Sequence, residues 1–245
     1  MKLKILGSSS EGNCYILEND KEALILEAGV SFGKVKKALD FNISKIVGVL
    51  VTHEHSDHAG HLQHFFNAGI PICASLGTLS AKGIDTSIVK PTAAEKTMKF
   101  GGFRVMPFEA VHDCAEPFSF LINHDECGNV LFATDTAEIL YDFAGLNNIL
   151  IEANYSDEIV YERMYNGKLN AKQHERTVQS HMSLKACNEF LQSTDLRQVN
   201  NIVLIHLSDG NSNAVQFRER VGLVTGKNTH VAESGMEIIF NKSPF

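Results

Sequence analysis

Four apolar runs of strand length in this chain each stop abruptly at a histidine or an aspartate. Residues 46–52 lead into His53, 103–111 into His112, 130–134 into Asp135 and 199–205 into His206. Strand ends are rigid, and polar side chains placed there can converge on one edge of a sheet system. The first run, Ile46-Val47-Gly48-Val49-Leu50-Val51-Thr52, is continuous rather than alternating, which is the pattern of a strand buried on both faces. A strand of that kind needs a covering layer on each side.

The rest of the chain alternates in the same way. Strands are expected at 3–6, 14–18, 23–27, 71–74, 87–89, 118–123, 148–152, 230–232 and 236–240. Helical patterns fall at 33–39, 60–67, 76–82, 157–166, 171–179, 184–192 and 213–221, the pair 157–179 being polar and largely exposed. A short helix at 137–141 would give Asp135 a capping role as an alternative to ligation. Such alternation argues for an α/β fold in which a central sheet system is flanked by helices. No repeat, low-complexity stretch or linker interrupts the 245 residues, so 1–245 reads as a single domain.

Composition narrows the function classes. The net charge of −7 argues against indiscriminate binding of nucleic acid through a basic surface. It does not exclude a nucleic-acid substrate, because bound divalent ions reverse the local sign of an acidic pocket. The five cysteines are scattered, odd in number and form no C-x-x-C pair, so a reducing cytoplasm is expected rather than a disulfide framework. No apolar run approaches the roughly 18–20 residues of a membrane span, and the first residues lack the apolar stretch of a signal peptide.

The densest chemistry is His53-Glu54-His55-Ser56-Asp57-His58. Imidazole suits zinc, iron and manganese, and carboxylate suits harder ions. A tight turn can aim His53 and His55 at one ion, while Asp57 and His58 face a second about 3.5–4 Å away. A lone histidine on a loop would be solvated, and a lone His112 or His206 would be structural. Directly after a buried strand, four such groups within six residues read as a metal loop.

This motif resembles that of the metallo-β-lactamase superfamily. The resemblance calls for a further histidine, an aspartate and a histidine in that order, and His112, Asp135 and His206 answer it. It implies a four-layer αβ/βα sandwich, two mixed sheets flanked by helices, with the site at one edge. It further implies one ion on His53, His55 and His112, a second on Asp57, His58 and His206, and Asp135 bridging both. Many members carry Asp-x-Gly after an earlier strand; here the triplet is Glu27-Ala28-Gly29, so Glu27 either orients a ligand histidine or is a structural carboxylate.

Within the superfamily the chain looks most like the YycJ/WalJ group, bacterial proteins regarded as DNA exonucleases. Gly7-Ser8-Ser9-Ser10-Glu11-Gly12-Asn13, His112-Asp113-Cys114-Ala115-Glu116-Pro117, Glu152-Ala153-Asn154-Tyr155 and Ser180-His181-Met182-Ser183 carry that likeness, with Cys114, Ser180 and Met182 as departures. The resemblance implies hydrolysis of DNA phosphodiesters by a metal-bridging hydroxide, with zinc or manganese as the ions and iron also acceptable. Asp57 would be ligand and proton acceptor. His181 would contact the scissile phosphate or protonate the leaving oxygen, against a capping or surface role at the start of the next helix. Arg163, Lys168, Lys172, His174 and Arg176 in the segment 157–179 would face phosphates or simply be solvated. An RNA-processing hydrolase, a small-molecule phosphodiesterase and a thioesterase remain alternatives on the same site. A non-hydrolytic metal or redox module is the alternative of a different class. Oligomeric state is not legible.

Overall fold

The computed structural model describes residues 1–243. Among the described residues thirteen strands form two sheets. The first sheet has the order β13-β1-β2-β3-β4-β5, built from β1 (Lys2–Gly7), β2 (Cys14–Glu18), β3 (Ala23–Leu26), β4 (Ile46–Leu50), β5 (Ile72–Cys73) and β13 (Glu237–Ile239). The second runs β12-β11-β10-β9-β8-β7-β6, from β6 (Met98–Phe100), β7 (Phe103–Glu109), β8 (Phe118–His124), β9 (Gly128–Ala133), β10 (Leu146–Glu152), β11 (Asn201–Ile205) and β12 (Asn228–Val231). Both sheets are mixed. β3, β4 and β5 run parallel, as do β9, β10, β11 and β12, while the remaining pairs are antiparallel.

Three apolar layers hold the sandwich. Leu3, Ile5, Tyr15, Leu17, Phe103, Phe118, Phe120 and Phe132 fill the space between the sheets. The outer face of the first sheet is covered by α1 (Phe32–Ala38), α2 (Ser56–Ala59), α3 (Leu62–Asn67) and α4 (Leu76–Ala81), through Val35, Ala59, Leu62, Phe65 and Leu79. The outer face of the second takes α7 (Leu184–Ser193) and α8 (Ala214–Thr225), through Leu184, Cys187, Leu191, Phe217 and Val221. Every residue of β3, β10 and β11 is buried, as strands covered by a layer on each face are, the polar Asn147, Asn148, Glu152 and Asn201 included. The four-layer αβ/βα arrangement is therefore the one expected. Two further helices, α5 (Asp157–Tyr165) and α6 (Ala171–Ser180), each bury one residue, and α5 touches the outer layer of the second sheet through Ile159.

Local departures have local causes. Residues 87–89 form a turn rather than a strand, because the Asp85 side chain accepts from Ser87 N and its carbonyl from Ile88 N and Val89 N. No helix forms at 137–141; Thr136 Oγ1 accepts from Val111 N and Ala137 N donates to Val111 O, tying that segment across to the end of β7. β6 was not expected, although Gly101-Gly102 between Phe100 and Phe103 is a two-residue hairpin signal. Residues 56–59, expected as loop, close one helical turn whose N-cap is His55.

Candidate metal centre

The parallel strands point their carboxyl ends at one edge, the position at which open α/β sheets bind ligands. Three residues there take left-handed backbone: Glu27 after β3 (φ 68°), Asp135 near the end of β9 (φ 45°) and His206 after β11 (φ 53°). Each such non-glycine conformation costs on the order of 1 kcal/mol, and each turns a side chain back toward the same point.

The metal loop is held from beneath by the N-terminal turn. Asn13 N donates to the Asp57 carbonyl (2.7 Å), and Ala28 N to the His58 carbonyl (2.7 Å). A Cβ at Gly29 would collide with the Asp57 carbonyl oxygen, so the third place of Glu27-Ala28-Gly29 must be bare. Ser8 Oγ accepts from His206 N (3.0 Å), joining the same turn to the other sheet.

All seven expected ligands meet. His53, His55, His112 and Asp135 offer ligand atoms within 4.8 Å of one another, and so do Asp57, His58, Asp135 and His206. Asp135 belongs to both groups and divides its oxygens between them. Oδ2 lies 3.8 Å from His53 Nε2 and 3.6 Å from His112 Nε2. Oδ1 lies 3.2 Å from His58 Nε2 and 3.2 Å from His206 Nδ1.

The donors fit divalent metal ions. His53 Nε2 and His112 Nε2 stand 3.0 and 3.2 Å from His55 Nδ1, close to the roughly 3.3 Å between neighbouring donors on a tetrahedral ion with about 2.0–2.1 Å bonds. Tautomers agree: His112 Nδ1 donates to the Ser180 carbonyl (2.7 Å), which leaves Nε2 with its lone pair. Burial lowers the pKa of both His53 and His112, keeping them neutral as ligation requires. In the second group His58 Nδ1 and Glu27 Oε1 face each other at 3.5 Å, both without a hydrogen-bond partner among the described residues. A cation on His58 Nε2 would draw this pair together, the usual arrangement of a carboxylate behind a ligand histidine.

Electrostatics describe a site built for positive charge. Burial opposes ionisation of Asp135, but His206, His58 and His53 outweigh it and hold the carboxyl well below the usual carboxylate range. Asp57 behaves alike: burial works against it, and His206 and His58 keep it ionised. Conversely, burial disfavours the cationic forms of His58 and His206, yet Asp135 and neighbouring carboxylates raise both, His206 to about 10.

Glu152, a residue to which sequence reasoning gave no role, lies behind the centre and is fully buried. Its Oε2 accepts from Thr136 N (3.0 Å) and Met182 N (3.0 Å). Its Oε1 accepts from His181 Nδ1 (2.7 Å) and lies 3.2 Å from His206 Nδ1. The signal was present, since Glu152 ends an apolar strand just as His53, Asp135 and His206 do. His181 is the C-cap residue of α6 through its backbone, but its side chain turns inward with 20% exposure and joins Asp135, Glu152 and His206.

Asp57, Asp135, His181 and His206 line a cleft of about 480 Å³ between the N-terminal turn at Ser10 and the helices α5 and α6. Of the five basic residues singled out in that segment, Arg163, Lys168 and Arg176 line it, whereas Lys172 and His174 do not.

Residues 9–72 match the metallo-beta-lactamase superfamily. Exodeoxyribonuclease WalJ of Streptococcus pneumoniae is 30% identical over 228 residues, covering 86% of this chain and 83% of that protein. The chain belongs to the metallo-β-lactamase superfamily. Within this superfamily, exodeoxyribonuclease YycJ of Bacillus anthracis is also 30% identical, over 178 residues and 65% of each chain. Among solved structures, the metallo-β-lactamase fold protein YhfI of Bacillus subtilis superposes with a TM-score of 0.69 at 14% identity, covering 97% of this chain and 98% of that one. Membership in the superfamily and the cluster of histidines and carboxylates make the protein a metal-dependent hydrolase.

Proposed function

We propose that this protein is an exonuclease that hydrolyses phosphodiester bonds of DNA with two divalent metal ions, zinc or manganese. The observation that carries the reading is Asp135, which turns one oxygen to each histidine group. The names of its relatives WalJ and YycJ supply the substrate class.

In this reading His53, His55 and His112 hold one ion, Asp57, His58 and His206 the other, and Asp135 both. Bound there, the ions would supply an acidified water and positive charge at the phosphoryl oxygens. The chain does the rest. Asp57, with 22% side-chain exposure, opens on the cleft and accepts a hydrogen bond from the attacking water. Glu27 steadies His58, and Glu152 steadies His206 and His181. Glu152 accepts a hydrogen bond from His181 Nδ1–H and stabilises the doubly protonated ring, so the Nε2–H of that imidazolium serves the scissile phosphate and delivers its proton to the leaving oxygen, leaving a neutral imidazole. Among the described residues no helix is long and apolar enough to cross a membrane. All five cysteines are unpaired, which supports action in a reducing cytoplasm. The same reading takes residues 1–245 as one domain.

The test is end-labelled DNA, single- and double-stranded, with and without added manganese or zinc. RNA, a cyclic nucleotide and a thioester serve as competing substrates. Metal-dependent release of nucleotides from DNA ends is expected. Turnover of RNA or thioester without DNA cleavage would overturn the substrate assignment, and redox-active iron without any ester turnover would overturn the enzyme.

A further inference from the structure

The segment 157–180, α5 and α6 with the loop between them, carries as many acids as lysines and arginines, but it sorts them. The acids are Asp157, Glu158, Glu162 and Glu175, and none of them lines the metal cleft. Asp157 and Glu158 border a different cavity, and Glu158 pairs there with Arg220 (3.6 Å). Three of the four bases, Arg163, Lys168 and Arg176, line the cleft instead, beside Asp57, Asp135, His181 and His206. On a chain of net charge −7, a solvated helix pair would have no reason to point its cations at a catalytic edge.

Arg163 is the most fully built of the three. Its Nη1 donates to Asn211 Oδ1 (2.7 Å), and its guanidinium lies over bare Gly210. Both residues belong to the loop that follows His206. Asn211 is itself buried, and its carbonyl accepts from Ser156 N just before α5. The partner of Arg163 is an amide, and no ion pair to it is found among the described residues. An amide orients a guanidinium without cancelling its charge, leaving donors for a planar anion.

We infer that Arg163, anchored on Gly210 and Asn211, together with Lys168 and Arg176, binds the DNA phosphates that flank the scissile one. This rests on the proposed action on DNA and adds to it the residues that select a polymer over a small diester. These residues position the strand and take no part in bond breaking.

Binding separates this inference from that reading. Fluorescence anisotropy with a labelled phosphorothioate oligonucleotide, read across a salt series, needs no turnover. Arg163→Ala is expected to weaken binding about tenfold and to flatten the log Kd against log salt slope by about 0.7–0.9, the value of one phosphate contact. Gly210→Ala keeps every charge, and its backbone lies outside the left-handed region, but the new Cβ would collide with the guanidinium. It should weaken binding to a similar degree, and the double variant should lose no more than Arg163→Ala alone. In turnover, Arg163→Ala should lose about ten times more kcat/KM on DNA than on bis(p-nitrophenyl) phosphate, chiefly through KM.

Unchanged affinity and salt slope in both variants, with unaltered thermal melting, would overturn the inference. So would additive losses in the double variant, or equal losses on DNA and the small diester. A wild-type protein that binds the oligonucleotide through Arg163 but cleaves no DNA would instead sink the exonuclease reading. A wild-type protein that does not bind it would sink both.

Discussion

The wall of candidate ligands is largely buried, with His55 and Asp57 partly exposed, whereas the wall formed by α5 and α6 is open to solvent. His53, His58, Asp135 and His206 are each under one-tenth exposed, while the Arg176 side chain is 68% exposed. The first wall hangs from strand ends with strained backbone at Glu27, Asp135 and His206; the second is a helical pair with few apolar anchors. Burial lets charges act at high strength and demands that each have a partner. Exposure screens them and leaves them adjustable. Chemistry therefore belongs to the first wall and affinity to the second, and substitutions on the two should differ in size and in kind.

The hardest test is Asp135→Asn. It removes the one group shared by both histidine sets while keeping the shape. A loss on the order of 10⁴-fold in kcat is expected, with metal content falling on elemental analysis. Full activity with both ions bound would erase the distinction between the walls.

Glu152→Gln should be next in size. The amide cannot accept from His181 Nδ1 and His206 together while still accepting from Thr136 N and Met182 N. A kcat loss of about 10–100-fold is expected with KM for DNA little changed. A change confined to KM would move Glu152 out of the chemistry.

Metal removal probes the buried wall from another side. His58 and His206 have raised pKa values in the protein alone, so ligation must expel their protons. Titrating the chelated protein with zinc at pH 7 in buffers of different ionisation enthalpy should release about two protons. The sign for stability follows. A histidine with a raised pKa stabilises the chelated fold fully below its ordinary 6.5, and this is lost as pH rises through the folded value, about 10 for His206. Thermal melting of the chelated protein should therefore decline between pH 7 and 10 more steeply than that of the metal-loaded protein.

The same contrast explains what could be read from sequence. The convergence of the seven candidate ligands was legible because each follows an apolar run or sits in the single loop after β4. Buried strands write themselves as uninterrupted Val, Ile and Leu, so a polar residue at their end is conspicuous. Glu152 obeyed that rule and received no role, because a lone glutamate at a strand end does not declare what it touches. The helix expected at 137–141 failed for a tertiary reason. Local propensity favoured it, but Thr136 and Ala137 are bonded across to Val111. The sorting of charge across 157–180 was illegible because acids and bases sit side by side in the sequence, Glu162 next to Arg163 and Glu175 next to Arg176. The packing of Ile159, Val160 and Ser180 sets which helix faces turn inward.

Arg176 carries the smallest expected effect and the finest test of how the walls meet. Its Nε donates to Asp113 Oδ2 (3.1 Å), while Asp113 Oδ1 lies 3.6 Å from His112 Nε2. Arg176 thus shields an incoming phosphate from a carboxylate at the rim of the ligand wall. Both side chains are well exposed, so the pair itself is worth little to stability, about 0–1 kcal/mol. Arg176→Ala should raise KM for DNA by only about threefold at moderate salt, part from the lost cation and part from the unmasked anion. Asp113→Asn in the Arg176→Ala background should recover the second part. If the double variant binds DNA no better than Arg176→Ala alone, Asp113 exerts no field on the strand, and the two walls act independently even where they touch.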